Sequence, residues 1–198
     1  MSRLGSELLL ALAAFVSILV LGAASAAEKP AAVFEGKQTL LRPEAEAYRE
    51  WVFVGSSLGL RYDERSDKSA APASATPSEH FNNVYINPAA FREFTRTGTF
   101  PDGTIFILEI ARAEKKAEPG LQGSYPKEFT ALEASVKDSS RFETGWAYFS
   151  FDAANGQRKD KATPLPKSRC FDCHHEKAAI DHVFTQFYPI LRAARPQK

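Results

Sequence analysis

The apolar positions of this chain change their period several times, and each change marks an element. Residues 8–21 form an apolar run without charge, preceded by Arg3 and followed by Ala24-Ser25-Ala26. A basic start, an apolar stretch and a small-residue site are the three parts of a cleaved secretory leader. The run is short against the roughly 20 residues that a spanning helix needs. Residues 27–42 are rich in alanine and lysine and read as a loose segment. Pro43 then opens a helix, with acidic residues in its first turn. Trp51-Val52-Phe53-Val54 either ends that helix or begins an extended segment. Residues 64–79 are polar and small, with Pro72 and Pro77, and predict a surface loop.

From residue 80 the pattern becomes that of strands. Residues 80–86 place Phe81, Val84, Tyr85 and Ile86 in one extended run, which Asn87-Pro88 breaks. Pro88 suits the start of a short helix over 89–96, and Gly98 suits its end. Phe100-Pro101-Asp102-Gly103 is a turn, and residues 104–110, β-branched and aromatic, are the clearest strand. Residues 125–137 are ambiguous. Phe129, Leu132 and Val136 fall at helical spacing, but the threonine and serine among them suit an extended chain equally. Residues 145–151 predict another strand, Asn155-Gly156 a turn, and 157–169 an exposed basic connection. Residues 177–192 carry Ile180, Val183, Phe184, Phe187 and Leu191 on roughly one face and predict a terminal helix. The expected fold is α+β, mainly an antiparallel β-sheet with flanking helices.

Composition narrows the class. Loss of the leader from the 198 residues leaves about 170, enough for one domain over 43–192 and a short tail over 193–198. Lys and Arg number 25 against 24 Asp and Glu, and the leader holds one of each sign, Arg3 and Glu7. The mature chain therefore lacks the basic surplus of a nucleic-acid binder. A leader cut near Ala26 places it in the periplasm.

The only two cysteines stand in Cys170-Phe171-Asp172-Cys173-His174. C-x-x-C-H is the attachment signal of haem c. Two thiols on one helical turn meet the two vinyl groups of one porphyrin, and the next histidine reaches the iron from the same side. On this reading Cys170, Cys173 and His174 hold a single covalent haem, with His174 as proximal ligand and the motif on a C-terminal helix. Three rivals are weighed. A redox dithiol belongs in a thioredoxin-like βαβ setting that this chain lacks. A zinc site needs four ligands, and Cys170, Cys173, His175 and His182 match no common finger spacing. The third rival is a plain structural disulfide.

The opposite axial position is constrained by composition. Met1 is the only methionine, so a mature His/Met electron carrier is excluded. His175 and His182 lie close to the motif, which leaves His80 as the one distant histidine. Because His80 reads first as an ordinary residue at a strand start, the expected iron is five-coordinate or weakly hydrated. Among Phe81, Phe91, Phe94, Phe100, Phe106, Phe149 and Phe151, most are expected in the core, with one or two over the open iron.

Several segments in order resemble the cytochrome P-460 family, which includes cytochrome c′-beta. They are residues 81–88, 97–104 and 145–149, the late C-x-x-C-H motif, and residues 183–189. The similarity covers about 43–192. It implies a mainly antiparallel β fold, often a homodimer, with a five-coordinate haem. It also implies one of two activities. Members whose porphyrin is bonded to a lysine oxidise hydroxylamine; members without that bond take up nitric oxide or carbon monoxide behind a phenylalanine-lined face. No lysine lies between Lys68 and Lys115. Lys68, Lys115 and Lys116 do not align clearly with the bonded position, which favours the second type. Hydroxylamine oxidation also requires proton removal, for which Glu109, Glu143 and Asp152 are candidates. Arg92, Arg96 and Arg141 are candidates for haem propionates.

The expected function is an exported mono-haem c cytochrome binding nitric oxide or a related small nitrogen species at an open iron. The alternatives are a hydroxylamine- or nitric oxide-oxidising oxidoreductase with a lysine–haem bond, and an electron carrier with His80 as sixth ligand. Expected partners are the small molecule itself (nitric oxide, carbon monoxide or hydroxylamine), a redox partner cytochrome and a second copy of the chain.

Replacing Cys170 or Cys173 by serine weakens covalent attachment, and His174→Ala removes the proximal ligand. Haem staining on a denaturing gel and the absorption spectrum test both; wild-type behaviour in the purified variants refutes the assignment.

Overall fold

Strand pairing in the computed structural model, which describes residues 30–60 and 79–194, is antiparallel throughout. The expected leader, nearly all of the 64–79 loop and the end of the tail lie outside the described residues. In chain order the elements are β1 (Phe34–Glu35), β2 (Thr39–Leu41), α1 (Ala45–Tyr48), β3 (Val52–Leu58), β4 (His80–Ile86) and α2 (Pro88–Thr97). There follow β5 (Ile105–Glu118), β6 (Leu121–Lys137), β7 (Trp146–Ser150), β8 (Lys161–Ala162), α3 (Phe171–Lys177) and α4 (Pro189–Ala193). A five-stranded sheet runs β3-β4-β5-β6-β7, and a three-stranded one runs β1-β2-β8. The α+β, mainly β expectation holds.

The large sheet is covered on both sides, and side-chain alternation sorts its residues between two cores. Tyr85, Ile107, Ala134 and Phe149 are successive cross-strand partners. They belong to one core, with Leu40 and Phe142 from outside the sheet. One residue along, Ile86, Phe106, Ser135 and Tyr148 form the next row and face the other side. That second core also takes Phe94, Phe100, Val183 and Leu191. Phe94 and Phe100 stack nearly parallel, their centroids 4.1 Å apart.

Local chemistry sets the ends of α2. Pro88 occupies its first turn, and Gly98 ends it in the left-handed region, donating to the Phe94 carbonyl at 2.7 Å. Asn87 does not cap the helix with its side chain. Its Oδ1 instead accepts from the Ile105 amide at 3.0 Å and ties the helix to β5. Beyond Arg112, β5 and β6 leave their neighbours and continue as a two-stranded ribbon that turns at Pro119-Gly120.

Three expectations need correction. Residues 34–41, read as loose, supply β1 and β2, and Leu40 is fully buried. The ambiguous 125–137 segment is strand. Leu132, Ala134 and Val136 are buried at every second position, while Phe129, which suggested helical spacing, is exposed. The terminal helix over 177–192 does not exist as one element. α3 stops at Lys177, Asp181 and His182 turn the chain with φ of 45° and 62°, and Pro189 starts α4. Left-handed residues cannot continue a right-handed helix.

Phe149 is fully buried and packs against Phe34 and Phe142. Phe149→Ala is expected to cost about 3–5 kcal/mol, read from the urea midpoint at an unchanged slope.

Candidate functional site

The C-x-x-C-H segment lies on the second face of the large sheet, beside its β7 edge. Residues 167–169 form a single 3-10 turn, Cys170 is the residue before α3, and Cys173 and His174 fall within the helix. Cys170 and Phe171 pack against the second core, so the motif is seated on the sheet. Neither cysteine is in a disulfide.

His174 is held from three sides. Its ring centroid is 4.5 Å from that of Tyr148 and 4.5 Å from that of Phe184. Its Nδ1 lies 2.8 Å from the His182 carbonyl oxygen. A carbonyl only accepts, so Nδ1 carries the proton and Nε2 carries the lone pair. Burial lowers the His174 pKa, opposed in part by the bond to His182, and this favours the neutral imidazole. A neutral ring with its tautomer fixed by a backbone carbonyl is the state in which histidine binds a metal.

The carbonyl belongs to a tight turn over residues 180–183, closed by the Val183 amide on the Ile180 carbonyl at 2.7 Å. Both central residues, Asp181 and His182, have positive φ, as in a type I′ turn. Non-glycine residues reach that region at a cost, and here Asp181 is fixed through its carboxylate. Oδ2 accepts from Lys137 Nζ at 2.7 Å, and Oδ1 from Trp146 Nε1 at 3.1 Å. The Lys137 ammonium also donates to the Phe100 carbonyl at 2.7 Å. His182 Nδ1 is buried without a hydrogen-bond partner among the described residues. The His182 ring lies 5.2 Å from that of His175.

On the same sheet face, the row beyond Phe106, Ser135 and Tyr148 is Val84, Leu108, Glu133 and Ser150. Glu133 was not among the sequence-derived candidates. Burial raises its pKa and Asp152 adds to the shift, while Arg169, directly before Cys170, opposes it. Its signal in the sequence was the alternation Leu132-Glu133-Ala134, legible only once 125–137 is known to be a strand.

The three carboxylates expected near the site serve elsewhere. Glu109 points to the opposite face and is buried. It accepts from Tyr48 Oη at 2.7 Å and is paired with Arg49. Glu143 is exposed and pairs with Lys167, and Asp152 pairs with Arg158. Arg96 pairs with Glu93 on α2, and Arg141 holds Asp138 and the Gly36 and Lys37 carbonyls. Of the seven phenylalanines, Phe91, Phe94, Phe100 and Phe106 belong to the motif-bearing core, and Phe149 and Phe151 to the other. Lys115 and Lys116 are in the ribbon, paired with Glu79 and Glu118, and Lys68 lies outside the described residues. His80 is six residues along β4 from Ile86. Two clefts, of about 480 and 140 Å³, open elsewhere, and no motif residue lines either.

Comparison with protein families matches the chain to the family described as Cytochrome P460 over residues 45–185. Comparison with curated proteins gives none.

The raised pKa of Glu133 fixes the sign of a pH effect. Below the ordinary glutamate pKa of about 4.3 the folded and unfolded chains are both protonated there, and the side chain adds no pH dependence. As pH rises, the unfolded chain ionises first, so stability falls until the buried group also ionises. Glu133→Gln is therefore expected to gain stability over the wild type at pH 8, with the gain absent at pH 4. Urea unfolding at the two pH values tests this; an equal difference at both would show that burial does not perturb Glu133.

Proposed function

The chain belongs to the cytochrome P460 family, and from that membership we propose an exported mono-haem c protein. The haem it would hold would supply an iron centre open to nitric oxide or a related small nitrogen species. Cys170 and Cys173 would form the two thioethers, and His174 would be the proximal ligand. The residues fit such a group. The two thiols bracket one turn at the start of α3 and are not in a disulfide. The imidazole between Tyr148 and Phe184 is oriented and neutral, with its lone pair on Nε2. The buried Nδ1 of His182, without a partner among the described residues, supplies a further donor or acceptor beside the motif. When bound, the haem supplies an iron centre that takes a small ligand and exchanges single electrons.

The observation that carries the reading is the make-up of the sheet face beside the motif. Phe106, Val84 and Leu108 make it apolar. β3, β4 and β7 contain no lysine, and Lys115, Lys116 and Lys127 sit in the ribbon. Lys137, on the motif's face, has its ammonium committed to Asp181 and the Phe100 carbonyl. Apart from the Glu133 carboxylate, the described residues of this face are largely apolar, and they offer no spare lysine amine to bond a porphyrin edge. It also argues against the electron-carrier alternative. His80 lies roughly 20 Å along the strand from the row that holds Tyr148, at about 3.4 Å per residue.

Glu133 favours the enzyme as the second reading. It is a partly buried carboxylate with a raised pKa on the motif's face, suited to accept a proton from hydroxylamine. In either reading the protein works in the periplasm as a homodimer and exchanges electrons with a partner cytochrome.

The test is intact mass together with the spectra of the ferric and ferrous forms, on protein matured in a host that attaches haem c. A mass equal to the mature chain plus one haem, an ordinary high-spin spectrum and tight nitric oxide binding are expected. A strongly red-shifted ferrous Soret band with hydroxylamine turnover would favour the cross-linked enzyme instead.

A further inference from the structure

We infer that Lys137 and Asp181 are positioning residues which set the electronic character of His174 through the His182 carbonyl. The inference rests on the reading of His174 as the iron ligand and adds a mechanism for its tuning. The chain of contacts is short and continuous. Lys137 on β6 and Trp146 on β7 are cross-strand neighbours, so the sheet fixes both donors at one spacing. They grip the two oxygens of the Asp181 carboxylate, at 2.7 and 3.1 Å. Asp181 and the next residue, His182, are the only non-glycine residues with positive φ among the described residues. The clamp thus holds a turn that the backbone alone disfavours, and the carbonyl of that turn receives the Nδ1–H of His174 at 2.8 Å.

A strong hydrogen bond at Nδ1 makes an imidazole more basic at its other nitrogen and a stronger donor to a metal. Once the clamp is released, the turn relaxes, the carbonyl moves and the bond lengthens. The imidazole then donates less, which disfavours the ferric state. The Lys137–Asp181 pair is shielded, with side-chain exposures of 19% and 28%, so its charges are less screened than those of a surface pair.

The test uses the haem-loaded protein and two readouts, the iron–histidine stretching band of the ferrous form and the haem midpoint potential. Asp181→Asn and Lys137→Met are expected to shift the band to lower frequency and the potential to more positive values. The double variant is expected to move no further than either single one. Lys137→Arg keeps the charge and is expected to stay near wild type. Asp181→Gly separates clamp from strain, because glycine accepts the left-handed turn without cost yet cannot hold Lys137. It is expected to show both shifts still. Wild-type values in Asp181→Gly or in Lys137→Met overturn the inference. A band that survives His174→Ala overturns instead the reading of His174 as ligand, so the two failures are distinguishable.

Discussion

The five-stranded sheet is buried on both faces, and the strict alternation of side chains along its strands decides what every other part of the chain must do. Outside the exposed ribbon, rows of cross-strand partners face one or the other of two cores. A one-residue slip in any strand would exchange the two. The bulky residues are distributed accordingly. Phe149 and Phe151 fill one side with Phe142 and Leu40, while Phe106, Phe100 and Phe94 fill the other with Trp146. The short segments outside the sheet act as its covers. β1, β2 and β8 close the first face, and α2, α3 and α4 close the second.

Charge inside this arrangement is tolerated only where it is matched. Glu109 faces the first core, and its carboxylate is satisfied by Tyr48 and Arg49, both at the α1 end of the chain. Removing either partner would leave a buried charge poorly compensated, which costs far more than the pair contributes. The same principle governs Asp181 on the second face, which two donors of the sheet hold at once. Glu133 is the exception on that face. Among the described residues its side chain makes no hydrogen bond, and burial, with Asp152 adding, raises its pKa. A group left in that condition on the face that carries the C-x-x-C-H motif is suited to gaining and losing a proton.

Much of this was legible in the residues. The strands at 80–86, 104–110 and 145–151, the helix between Pro88 and Gly98, and the C-x-x-C-H motif all have strong local signals, and the structure forms each of these strands, the helix and a helix bearing the motif. Errors arose where the deciding contact is distant. Leu40 is in a strand because β8, more than a hundred residues later, pairs with it. Phe129 imitates helical spacing, but its neighbours obey the period of the sheet. Ile180 to Leu191 is apolar enough for a helix, yet Asp181, a residue that tolerates the left-handed region, is held by Lys137 and Trp146 in a turn there. Glu133 and Lys137 were missed for the same reason, since their roles depend on strand register rather than on residue type.

The position of the motif in the chain has a further consequence. All eight strands among the described residues precede Cys170. A polypeptide emerges from the ribosome amino end first, so the segments of both sheets are delivered before the first cysteine. The cysteines arrive last, on a short tether that trails from β8. Val183 and Leu191 are the last buried residues of the second core to be delivered.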